Sequence, residues 1–192
     1  MAGIVAAGGL GVGCRSGGDH SKKVSATLDA ALQAHVEGRI ADATKGYQAV
    51  LKLEQNNKFA RYNLGLIDQQ AGRSDAAEAE YRQVLAVDPK YGPALFNLAI
   101  VRAGAGDAGE AITLYRRALE VQPDDANTHL NLGLLLRAQG ALADAQTEID
   151  QAVRLDPKIA QNPAVTTTTA STGSTTTTTT ARRATPTTRR AG

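Results

Sequence analysis

The sequence has no tryptophan, only two phenylalanines and a single cysteine among its 192 residues. One cysteine, Cys14, excludes an intramolecular disulfide and any zinc site built from several cysteines. Three histidines, His20, His35 and His129, stand far apart and offer no ligand cluster. Aromatic residues make up 4% of the chain while hydrophobic residues reach 42%. A core must therefore come from Ala, Leu, Val and Ile. That composition favours closely packed helices over a sheet, because alanine has the highest helix propensity.

A strong basic field is also missing from the middle of the chain. Residues 24–159 hold 14 Lys/Arg against 18 Asp/Glu, so this stretch is mildly acidic. The flanks are basic, and the whole carries +2. A nucleic-acid surface normally shows a basic stripe on the folded part, so no specific nucleic-acid partner is expected.

What is present is an internal repeat. Gly38, Gly72, Gly106 and Gly140 are each 34 residues apart. Five residues on from each stand Ala43, Ala77, Ala111 and Ala145. Nine on stand Tyr47, Tyr81, Tyr115 and Ile149. Twelve on stand Val50, Val84, Ala118 and Ala152. Seventeen on stand Gln55, Pro89, Pro123 and Pro157. No insertion breaks the register. The second unit reads YNLGLIDQQAGRSDAAEAEYRQVLAVDP from Tyr62, and the fourth reads LNLGLLLRAQGALADAQTEIDQAVRLDP from Leu130.

The local chemistry specifies two helices per unit. In the second unit they are expected over about Phe59–Ala71 and Asp75–Val87. Gly72 suits the left-handed residue that follows a helix C-terminus. Ser74 and Asp75 offer oxygens to cap the next helix, and Pro89 ends it. Gly65 and Ala77, matched by Gly133 and Ala145, are small where the helices cross; Tyr81, Leu85 and Leu64 fill the space around them. One such unit cannot bury its apolar face alone, so neighbours stack.

This pattern resembles the tetratricopeptide repeat, whose period is 34 residues. The resemblance implies an all-α, right-handed α-α superhelix of four helix-turn-helix repeats, at 24–57, 58–91, 92–125 and 126–159. It implies a concave groove lined by the first helix of each unit at the second, fifth, sixth, ninth and twelfth positions, counting from Val24, Lys58, Gly92 and Ala126. The sixth position holds Asn63, Asn97 and Asn131. The fifth holds Leu28, Tyr62, Phe96 and Leu130; the ninth Leu32, Leu66, Ile100 and Leu134; the twelfth His35, Gln69, Ala103 and Arg137. An asparagine ladder suits pairing with the backbone of an extended peptide, and equally a role in packing or capping neighbouring helices. The fifth positions carry none of the lysines with which some members grip a C-terminal carboxylate. The expected partner is another protein or a peptide.

The end units depart from the pattern. The polar second helix of the fourth unit (Gln146, Thr147, Asp150, Gln151) is expected to serve as its own cap; no solvating helix is evident after it, which leaves an incompletely covered end for a second copy or a partner to shield. Residues 1–23 form an apolar, glycine-rich leader ending near Cys14, followed by a polar spacer. This resembles a bacterial lipoprotein signal, with Cys14 as a lipidation site and a membrane tether as the consequence; an exported or anchored location is set against a cytoplasmic leader. Residues 160–192 form a threonine-rich basic tail, read as disordered because such tracts cannot build a core. In an exported protein this is the composition of a glycosylated stalk.

Chemistry is harder to find. The glycines from Gly8 to Gly13 match neither phosphate-loop nor dinucleotide spacing. Glu78, Glu80 and Arg82 read as solvated surface. Neither a catalytic constellation nor a cofactor or metal site is expected. The leading reading is a binding scaffold; a module acting in trans with an enzyme or secretion system, and a self-associating envelope protein, are the alternatives.

Overall fold

A computed structural model describes residues 15–166, with side chains from 18 to 165. Cys14, the leader before it and residues 167–192 lie outside the described residues. Among the described residues there are helices and no strands. Four antiparallel pairs succeed one another: α1 (Arg15–Val36) with α2 (Ile40–Leu53), α3 (Lys58–Gln70) with α4 (Ser74–Val87), α5 (Gly92–Gly104) with α6 (Ala108–Val121), and α7 (Ala126–Ala138) with α8 (Leu142–Leu155). Each helix packs on its partner, and each second helix packs on the first helix of the next pair. The result is a solenoid.

The reversal between paired helices comes from one repeated device. Gly38, Gly72, Gly106 and Gly140 have φ of +73°, +72°, +87° and +81°, a region costly for residues with a Cβ. After α3, the Gly72 amide donates to the Gln69 carbonyl at 3.0 Å and the Arg73 amide to the Asp68 carbonyl at 2.8 Å. This double bond pattern satisfies helix-end carbonyls, and it recurs at Gly38, Gly106 and Gly140. It leaves no room for a separate cap. The expectation that Ser74 and Asp75 cap the following helix is therefore corrected: both lie inside α4, and its N-cap is Arg73 with no side-chain bond. Where an asparagine or aspartate falls at the N-cap, its side chain caps the helix. Asn57 accepts from the Ala60 amide at 3.0 Å, and Asp107 from the Glu110 amide at 3.0 Å.

In the second and fourth pairs a glycine faces a large residue, and in the first it faces an alanine. A Cβ on Gly65 would stand 2.6 Å from Tyr81 Cε1, and one on Gly133 would stand 2.8 Å from Ile149 Cγ1 and 3.0 Å from the Ala145 carbonyl oxygen. The first pair reverses the arrangement: Gly46 on α2 meets Ala31 on α1, with 2.6 Å to the Ala31 Cβ. Tyr47, Tyr81 and Tyr115 are buried beside these crossings.

Both ends differ from the sequence-based boundaries. Helix α1 begins at Arg15 and so runs through the segment read as a polar spacer. At the other end, Asp156 accepts from the Lys158 amide at 3.0 Å and starts a 3-10 turn over Pro157–Gln161. A helical turn, α9 (Pro163–Thr166), comes next. Ile159 is buried against Leu130 and Ala152, and Val165 packs on the same cluster. The last unit is not bare, because Pro157 opens a new turn as well as closing α8. The reason for expecting self-association through an uncovered fourth unit falls away.

Two outcomes test this packing. Gly133→Ala should lower stability by about 1–3 kcal/mol, the usual range for overpacking, since the new methyl meets backbone. Gly104→Ala, where a Cβ meets nothing within 4 Å, should be neutral or slightly stabilising. Denaturant midpoints of the two variants should therefore move apart. Second, all five tyrosines are pushed above the ordinary value by burial, Tyr47 and Tyr115 up to about 12. Their neutral form is favoured by the fold, so this stabilisation is complete below the unfolded tyrosine value and disappears as pH rises through the folded one. Ultraviolet titration of the native chain should lag that of the denatured chain; coincident curves would refute the burial.

Candidate partner-binding groove

The first helix of each pair carries the candidate residues on one face. The structure distributes them into three different roles. At the twelfth position, His35 and Gln69 serve the core. His35 Nδ1 lies 3.1 Å from the Tyr47 hydroxyl, and the Tyr81 hydroxyl donates to Gln69 Oε1 at 2.7 Å. A buried phenol needs a partner, and these side chains supply it. Ala103, at the same position in the third unit, has no polar group to offer. Arg137 turns elsewhere: its Nη2 donates to the Ala164 carbonyl at 2.6 Å. Leu130 is buried under the C-terminal turns, with Leu134 beside it.

Tyr62, Asn63, Leu66, Phe96, Asn97 and Ile100 are half-buried across units 2 and 3; at the same positions elsewhere Leu28 and Asn131 are half-buried and Leu32 is exposed. The asparagines of units 2 and 3 are oriented by their own helices. Asn63 Nδ2 donates to the Phe59 carbonyl at 2.8 Å, and Asn97 Nδ2 to the Pro93 carbonyl at 3.0 Å, each one turn back. Asn97 Nδ2 also donates to the Tyr62 hydroxyl at 3.1 Å, tying unit 3 to unit 2. Packing and ligand readings of this ladder are thus not exclusive. The donors are engaged within the fold, while among the described residues neither Oδ1 receives a hydrogen bond. Among the same residues, Asn131 makes no comparable bond.

Sequence reasoning missed the aromatic cluster at the mouth of this face. Tyr91 sits in the loop before α5 and packs edge-on against Tyr62, with centroids 5.4 Å apart, and against Phe59 at 6.4 Å. Tyr62 also meets Tyr81 at 6.0 Å. Lys58 Nζ stands 5.4 Å from the Phe59 ring and 5.3 Å from the Tyr91 ring, and pairs with Asp88 at 2.7 Å. Phe59 stays 46% exposed. Phe59 occupies a second position, one that the family resemblance implies lines the groove, but it was not singled out in the sequence. Tyr91 lies after the closing Pro89, outside the helical count, and no sequence signal pointed to it.

The charges that read as solvated surface in the sequence form an ionic joint instead. Arg102 on α5 reaches Glu78 at 3.0 Å and Asp107 at 2.7 Å, and its Nε lies 2.7 Å from Glu110 without hydrogen-bond alignment. Arg82 joins Glu78 and Glu110, both at 2.8 Å. The Arg82 hydrogen bond, aided by Arg102, holds the Glu78 carboxyl below its ordinary value. Glu80 pairs with Arg61 at 3.0 Å. The correction has a simple cause. Helices α4, α5 and α6 bring together residues as far apart in sequence as Glu78 and Arg102, or Arg82 and Glu110, and a single-helix projection does not show this.

His129 is held by Glu148 at 2.6 Å and the Pro123 carbonyl at 2.9 Å. Among the described residues no three His, Cys, Asp or Glu side chains gather as a metal site, and no helix is long and apolar enough to cross a membrane.

Comparison with known proteins agrees with this geometry. Solved structures with the same fold include YrrB, described as a TPR protein with an unusual peptide-binding site, at 18% identity over 80% of this chain and 83% of that one, with a TM-score of 0.68. They include MamA, at 20% identity over 81% and 99%, with a TM-score of 0.65. An O-GlcNAc transferase of Thermobaculum terrenum is similar at 27% identity, over 61% of this chain but only 22% of that one, with a TM-score of 0.56. No curated protein matches the sequence. The tetratricopeptide repeat family model matches residues 62–126 and 96–158, half of the chain, in register with the glycine turns and helix pairs described above. The chain belongs to the tetratricopeptide repeat family.

Proposed function

We propose that the chain is a non-catalytic scaffold whose inner face at units 2 and 3 holds an extended segment of a partner protein. One observation carries the reading. An exposed aromatic ring, Phe59, borders half-buried Tyr62, Phe96, Leu66 and Ile100, and beside them Asn63 and Asn97 have Oδ1 atoms that receive no hydrogen bond among the described residues. An extended peptide satisfies both features, since its side chains cover apolar surface while its backbone N–H groups meet fixed acceptors. YrrB, a protein of the same fold with a peptide-binding site, supports this use of the architecture.

The face also indicates what does not fit. Tyr62, Asn63, Leu66, Phe96, Asn97 and Ile100 carry no formal charge, the neighbouring Lys58 is paired with Asp88, and no lysine stands at the fifth positions. A ligand read through a terminal carboxylate has no counter-charge there. A second reading, a module acting in trans beside an enzyme, rests on the likeness to part of the O-GlcNAc transferase.

The test is affinity for a partner recovered by crosslinking from the inner face in native cells. Phe59→Ala should weaken binding about tenfold or more, as truncating an anchoring aromatic does. Asn97→Ala should weaken it as well, and Gln83→Ala on the outer helix α4 should not. Equal affinity for all three proteins would exclude this face as the site.

A further inference from the structure

Helix α1 is rotated like α3, and one residue on its inner side differs in kind from its equivalents. Two contacts fix the rotation. Ala31, at the eighth position, is buried where α1 crosses Gly46, as Gly65 is buried where α3 crosses Tyr81. His35, at the twelfth, meets the Tyr47 hydroxyl as Gln69 meets that of Tyr81. The sixth position of unit 1 therefore stands as Asn63 and Asn97 stand in units 2 and 3. It holds Asp29.

The exchange of amide for carboxylate changes the chemistry. Asn63 and Asn97 each give an amide N–H to the carbonyl one turn back. A carboxylate has no N–H to give and only accepts. Asp29 is exposed, and it accepts from the Ser25 hydroxyl at 3.5 Å. Among the described residues no lysine or arginine pairs with it. Along the second, fifth, sixth, ninth and twelfth positions of the four units, Asp29 is the one carboxylate and Arg137 the one Lys or Arg. Arg137 is engaged with the Ala164 carbonyl, and Lys58 at the edge of the face with Asp88. The face therefore runs from an uncharged apolar strip in units 2 and 3 to an unneutralised negative charge in unit 1. Such a charge favours a partner of opposite sign and rejects one of its own.

We propose that Asp29 sets the charge preference of the inner face: the partner segment carries a lysine or arginine that reaches Asp29 while its apolar side chains cover units 2 and 3. The proposal rests on the reading of that face as a peptide site. Neighbouring helices lie about 8–10 Å apart and an extended chain advances about 3.3 Å per residue, so the cation falls about three residues from a side chain on Tyr62 and about six from one on Phe96.

The probe is a phage-displayed library of random peptides about twelve residues long, enough to cross three units in extended form, selected against the full chain. The wild-type chain should select apolar peptides with Lys or Arg at that spacing. Asp75→Asn, which removes a carboxylate from the outer helix α4, should select the same peptides. Asp29→Asn should select apolar peptides without the cation. It should bind the wild-type peptides about two- to fivefold more weakly, as loss of an exposed ion pair does, and the difference should shrink at high salt. Asp29→Lys should select Asp or Glu at the same place. Selected peptides that lack the cation would overturn the proposal, as would a preference weakened equally by Asp75→Asn and Asp29→Asn. If peptides lacking the cation still lose affinity to Phe59→Ala, the face stands as a peptide site without this charge rule. Peptides indifferent to both Phe59→Ala and Asp29→Asn, or no selected peptide at all, count against the peptide site and the charge rule together.

Discussion

Every helix pair in this protein depends on a backbone that can turn left-handed at one residue. At four places 34 residues apart, a glycine with φ near +70° to +90° lets two amides bond back to the preceding helix and start the next one at once. The turn fixes how closely the two helices run, and that in turn dictates which side chains fit between them. Glycine or alanine at the crossing admits a tyrosine or isoleucine from the partner helix. Changing the turn would misplace the crossing, and a misplaced crossing has no space for the ring.

Joints between units are made differently. There the apolar contacts are supplemented by polar ties across helices from different pairs: Arg102 with Glu78, Arg82 with Glu110, and Asn97 with the Tyr62 hydroxyl. Exposed ion pairs contribute little singly; here Glu78, Arg102 and Glu110 are half-buried, Arg82 is exposed, and the pairs are shared among α4, α5 and α6. They hold unit 2 against unit 3, the two units that carry Tyr62, Asn63, Leu66, Phe96, Asn97 and Ile100. At the far end the turns after α8 cover part of the last unit, while at the near end α1 extends back to Arg15 with residues 18–23 exposed.

Much of the fold was legible because its determinants are local and periodic. Helix limits in the second unit agree with the sequence reading to within a residue, since Gly72 and Pro89 act on their immediate neighbours. The candidate site was legible only in part. Counting positions placed Tyr62, Asn63, Leu66, Phe96, Asn97 and Ile100 on one face, and they stand together. Counting could not show that Gln69 and His35 are spent on buried tyrosines, that Arg137 holds Ala164, or that Leu130 lies beneath Ile159. Each of these depends on a residue from another helix.

The sequence by itself determined the number of repeats, the pairing of helices, the mild acidity of the solenoid and the lack of a metal-binding cysteine set, because composition and a 34-residue period are properties of the chain alone. Tertiary structure decided which groove positions remain open, which charges join into a network, and where the aromatic cluster of Phe59, Tyr62 and Tyr91 forms. Those outcomes turn on distances between residues that lie on different helices. Only the packed helices set such distances, through crossings that a glycine permits and a tyrosine fills.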